Sequence, residues 1–116
     1  MRKVYITTII VLALPAMIVI SCSKSNDDPT VCDGVTNKSF AADVNPLIQT
    51  FCNQAACHDA GSSNGVGPLT NYTQVFNARV AIRGAVQSGL MPQNATLTTA
   101  QKNSIICWID SGAPNN

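Results

Sequence analysis

Phe51-Cys52-Asn53-Gln54-Ala55-Ala56-Cys57-His58 brings two thiols and the only imidazole of the chain into one short segment. The segment lies where a helical pattern ends. Val44, Leu47, Ile48 and Phe51 recur at spacings of three and four, which predicts one apolar helix stripe. Asn45 before Pro46 reads as a cap followed by a first turn. Beyond His58, the stretch from Asp59 to Pro68 is rich in Gly, Ser and Asn and reads as loop. A second helical pattern runs from about Tyr72 to Gln87, with Tyr72, Val75, Phe76, Val80, Ile82 and Val86 apolar. Gly84 is placed to break it in two and Gly89 to end it. Thr98-Thr99-Ala100-Gln101 has the form of a capping box. Ile105, Trp108 and Ile109 then share a face, and Gly112 with Pro114 stops the last helix. No alternating pattern predicts strands, and there is no internal repeat. The expected fold is all-α, three to four helices in one domain over 40–116.

The composition narrows what such a domain does. The chain has 116 residues and 11% charged side chains, against roughly 25% in an ordinary globular protein. It has no Glu, and its net charge of +1 lacks the basic excess that a phosphate backbone demands. Nucleic acid is not an expected partner. Mean hydropathy is +0.15, but much of that apolarity lies in the first twenty residues. Three short helices bury little, and chains of this size need a staple such as a disulfide or a metal. The large apolar residues are too few for a generous core, so something else is expected to fill the middle.

Two cysteines followed at once by histidine form the attachment pattern of c-type haem. Two thiols must reach the two vinyl groups on one porphyrin edge while the next residue turns its imidazole under the iron. The spacing here is Cys-x4-Cys-His, a departure from the usual gap of two. Other readings of the same residues stand beside it. Cys52 and Cys57 form an ordinary disulfide in one; in another they bind structural zinc with Cys32 or Cys107. An iron–sulfur centre is a further, weaker fit for an exported chain. An electron-transfer haem takes a second axial ligand, and Met opposite His raises its potential. Met91, in Leu90-Met91-Pro92, is the only methionine beyond the first twenty residues, its alternative role being a gap-filling side chain. Lys102 or an open position is the other option at the iron. Cys32 and Cys107 remain, an even pair that suggests a bridge in an oxidising compartment, the alternative being two buried thiols. Arg79 and Arg83 share a helix face, suited to haem propionates or an acidic partner, or simply to water.

The order helix, Cys-Cys-His, loop, helix, Met, final helix resembles small class I cytochromes c. Gly67-Pro68-Leu69 resembles an element of that family in which the Pro carbonyl accepts the Nδ1–H of the haem histidine. Carried over, Pro68 would orient His58 and raise its basicity, and the helix bearing Trp108 would cross the first. More closely, the segment from Phe40 to Asn116 resembles small lipid-anchored cytochrome c-like domains of Gram-negative bacteria, which end in a similar Trp-Ile-Asp-x-Gly-Ala stretch. The resemblance implies one covalent haem c, held by Cys52 and Cys57 and ligated by His58 and Met91.

At the N-terminus, Arg2 and Lys3 precede an uncharged run from Val4 to Ile20, followed by Ser21-Cys22. A positive start, an apolar run and a small residue before the cut describe a secretory signal over 1–21. A single membrane span is the alternative, at the short limit of length and interrupted by Pro15. Val19-Ile20-Ser21-Cys22 resembles a bacterial lipobox, which implies lipidation of Cys22. Ser23 in place of Asp resembles lipoproteins sent on to the outer membrane. Residues 22–39 then form a lipidated tether and N-terminal arm, polar from Ser23 to Thr30. Without the signal, five cations face six aspartates, a near-neutral mature chain of net charge about −1.

The expectation that results is a membrane-tethered electron-transfer protein of the bacterial envelope, facing the periplasm or the exterior. Its partners are redox proteins, with no small-molecule substrate and no catalytic step. A disulfide-stabilised lipoprotein acting as a cofactor-free binding module is the alternative from another class. A haem sensor with Met91 unligated is a third.

Overall fold

The computed structural model describes residues 31–35 and 37–116. The signal over 1–21, the lipidation of Cys22 and most of the tether lie outside the described residues. Among those residues there are three α-helices and no strand: α1 (Asn45–Phe51), α2 (Tyr72–Ser88) and α3 (Thr99–Asp110). A π-helical turn over Phe40–Val44 runs directly into α1. The fold is all-α, as expected, and no helix among the described residues is long and apolar enough to cross a membrane.

The helix ends follow local chemistry. Asn45 does not cap α1. The π-helical turn carries the backbone into it already helical, at φ −57° and ψ −42°, and Pro46 follows in the first turn. The cap lies further back at Ser39, whose hydroxyl accepts from the Ala42 N–H at 3.2 Å. Asp43 reaches back to the Ser39 N–H at 2.8 Å. That bond, with Lys38 beside it, holds the Asp43 carboxyl below the usual carboxylate range against a small opposing cost of burial. Asn71 caps α2 by accepting from the Gln74 N–H at 3.1 Å. Gly84 does not break α2, which continues to Gly89, left-handed at φ +74°, a conformation suited to glycine. Thr98 and Gln101 form the reciprocal capping box of α3.

One packed core joins the π-helical turn and the three helices. Trp108, Ile48, Ile105, Val44, Val75 and Val86 are its largest fully buried side chains. Phe40, Tyr72 and Trp108 meet with ring centroids 5.1–6.4 Å apart. This cluster seats α3 against the π-helical turn, and the last residues of the chain fold over it. Trp108 Nε1 donates to the Pro114 carbonyl at 2.9 Å and the Tyr72 hydroxyl to the Ala113 carbonyl at 3.0 Å. Phe40 N–H donates to the Asn116 side chain at 3.0 Å. Cys32 and Cys107 form a disulfide across 75 positions of sequence, fastening the N-terminal arm to α3. Val80, expected among the apolar face of α2, is 76% exposed. Leu69 and Leu97, both in loops, are buried instead.

Candidate functional site

Beside this core the molecule is hollow. A cavity of about 1160 Å³ opens between the end of α1, the loop that follows it, one face of α2 and the Met91 segment. That is slightly above the range of roughly 300–1,000 Å³ usual for small-molecule and cofactor sites. Ala81, Gly84, Ala85 and Ser88 on α2 recur at spacings of three and four and all line it, so small side chains keep that wall set back. Ile82, Val86 and Leu69 add apolar surface. His58 is the only charged or imidazole side chain in the lining; Gln, Asn, Thr and Ser supply the other polar groups.

Cys52, Cys57, His58 and Met91 all border this one cavity. Cys52 closes α1, its N–H donating to the Ile48 carbonyl at 2.9 Å, and it is buried. Burial, with the nearby Cys57 adding, pushes its thiol up to about 11, so it stays protonated at neutral pH. Cys57 is half-buried, and both thiols are free. The expected alternative of a Cys52–Cys57 disulfide is therefore not what the structure holds. The zinc alternative also loses its further ligands, because Cys32 and Cys107 are bonded to each other. Among the described residues no group of three or more His, Cys, Asp or Glu side chains is arranged to hold a metal ion by itself.

His58 is fixed by its backbone and its ring. Its N–H donates to the Cys52 carbonyl at 3.2 Å, and its carbonyl accepts from the Leu69 N–H at 2.9 Å. Nδ1 lies 2.7 Å from the Gly67 carbonyl. A carbonyl can only accept, so Nδ1 carries the hydrogen, and in the neutral ring the lone pair then lies on Nε2. The acceptor is thus the carbonyl of Gly67 and not that of Pro68, which was the expectation from the resemblance. The difference is one residue along the same turn. Gly67 adopts φ +78°, its N–H donates to the Asn64 carbonyl at 2.8 Å, and this turn presents its own carbonyl at the ring.

Met91 is half-buried, and its N–H donates to the Ala85 carbonyl at 3.1 Å, which ties the segment to the end of α2. Lys102 borders a second, small cavity of about 50 Å³ that also touches Met91. Neither arginine faces the larger cavity. Arg83 pairs with Asp110 of α3 through two hydrogen bonds of 2.6 and 2.9 Å. Arg79 lies over the Phe76 ring at 4.0 Å and donates to the Phe76 carbonyl. Gly67 was read only as part of the Gly67-Pro68-Leu69 element, with the acceptor role given to Pro68, and the polar residues that pin the loop (Gln54, Ser62 and Asn64) were not singled out by sequence reasoning. For these the Asn64-Gly65 pair offered a signal, a turn marker.

In comparison with known proteins, the chain matches no family model, no curated protein and no solved structure.

Proposed function

We propose that this protein is a membrane-tethered electron-transfer protein with a cytochrome c-like domain carrying one covalent haem c. The observation that carries the reading is the convergence of two free thiols, an imidazole with Nε2 available and a thioether on one large cavity. The donor set and the set-back wall of α2 fit such a group. Cys52 and Cys57 would hold it through their sulfurs, and His58 Nε2 and Met91 Sδ would hold its iron. The haem, when bound, supplies a reversible one-electron couple at iron. The residues around it do the tuning. The Gly67 carbonyl keeps the His58 ring oriented and makes Nε2 a stronger base. Ile82, Val86 and Leu69 keep water from the interior face, and Met91 favours the reduced state. Exchange of an electron would need no bound substrate, and the partners are redox proteins of the envelope. Lipidation at Cys22 would confine their encounter to the membrane surface, with the outer membrane the destination that Ser23 suggests.

Two variants test the ligand assignment in protein produced with cytochrome maturation machinery. His58→Ala is expected to lose stable haem ligation. Met91→Ala is expected to give a coloured protein with a lowered reduction potential, measured by redox titration of its visible spectrum. An unchanged potential removes Met91 from the iron. Carbon monoxide binding to the reduced wild type at neutral pH would favour an open-site haem sensor instead.

A further inference from the structure

A gap of four residues between the cysteines, where two is usual, has to be accommodated somewhere, and the structure shows how this chain does it. The spacer is folded into a closed excursion. Its ends are joined by the His58 N–H donating to the Cys52 carbonyl at 3.2 Å. Inside it, the Cys57 N–H donates to the Gln54 carbonyl at 2.9 Å, and Ala56 turns through the left-handed region at φ +64°. Such a conformation is costly for alanine and has to be held by its surroundings.

Side chains hold it from both sides, and within the spacer Asn53 Nδ2 also donates to the Gln49 side chain at 2.5 Å. Gln54 turns back onto α1, where its Nε2 donates to the Gln49 and Thr50 carbonyls at 3.0 and 2.9 Å. Those are carbonyls at a helix end that lack further turns to bond them. From the other side Asn64 Nδ2 donates to the Ala56 carbonyl at 2.9 Å, and the Ser62 hydroxyl donates to the Cys57 carbonyl. Gln54 and Asn64 are exposed, so neither side chain is part of the core.

We infer that Gln54, with Asn64, is a positioning residue that clamps the spacer between helix and loop and so sets the separation of the two thiols for attachment at both. The inference rests on the haem c reading above. Attachment at each cysteine adds the thiol across a vinyl C=C, sulfur to the inner carbon and hydrogen to the outer, with no net gain or loss of electrons. A spacer left loose presents only one sulfur well, and one vinyl stays unsaturated.

The experiment uses the full chain produced with bacterial cytochrome maturation machinery. Thiols left over are alkylated under denaturing, non-reducing conditions, and the intact mass is read with the pyridine haemochrome spectrum. The wild type is expected to carry haem with no alkylated cysteine among Cys52 and Cys57. In Gln54→Ala, two lost neutral hydrogen bonds raise the singly attached, singly alkylated fraction roughly tenfold, with the haemochrome band moved to longer wavelength. Gln54→Glu does the same or worse, since a carboxylate cannot donate and faces two carbonyl oxygens at a helix C-terminus. Gln54→Lys restores a donor there and keeps double attachment. Arg83→Ala, which breaks the Arg83–Asp110 pair away from the cavity, leaves the count at two. Double attachment unchanged in Gln54→Ala and Gln54→Glu overturns the inference, as does an equal loss in Arg83→Ala. A colourless wild type instead removes the haem c reading itself.

Discussion

The two sides of this domain solve the problem of a small core in opposite ways. Around Trp108 the chain closes on itself, with three aromatic rings in contact, a disulfide from the arm to α3 and the C-terminal residues folded back as a cover. Around Cys57 it stays open, and small residues on α2 hold the wall away from the loop. No residue of α3 and no described residue of the N-terminal arm lines the large cavity. One side is filled by its own side chains, and the other borders a cavity. The difference teaches where the stability of so short a chain comes from and why part of it can be given up to a site.

The largest effect that would test this division is at the centre of the closed side. Trp108 is fully buried and its indole N–H is bonded. Trp108→Ala is expected to lower unfolding stability by about 3–5 kcal/mol, measured by denaturant unfolding. A loss below about 1 kcal/mol would mean that the aromatic cluster is not the stabilising centre. The next effect is smaller. Replacing Cys32 and Cys107 together by serine frees the arm and is expected to cost about 2–4 kcal/mol, with the amount of covalent haem per chain unchanged. Loss of haem along with the disulfide would show that the two sides are not independent.

Much of the closed side was legible in the sequence, because helix periodicity and caps are local. The Thr98–Gln101 box, the stop at Gly89 and the stripe from Val44 to Ile48 all follow from spacing alone. The Cys32–Cys107 bridge followed from counting cysteines in a chain read as exported. Other features depend on how the chain returns in space. Asn45 has a capping composition, but the π-helical turn before it moved the cap to Ser39. Val80 fits the apolar pattern of α2, yet it is left 76% exposed. Leu69 and Leu97 carry no periodic signal and are buried by tertiary packing. At the site, Cys52, Cys57, His58 and Met91 were all readable as candidates, and the structure brings the four to one cavity. The Gly67 carbonyl was not readable, since a backbone acceptor has no letter in the sequence and one residue of turn geometry decides it. Gln54 escaped for a similar reason: its role is set by where α1 ends.

The most direct measurement is the intact mass and visible spectrum of the full-length protein, purified from a host competent in cytochrome maturation and extracted with acid and acetone. The account predicts a chain heavier by one haem that keeps its colour through extraction. A folded, colourless chain with Cys52 and Cys57 open to alkylation would contradict it.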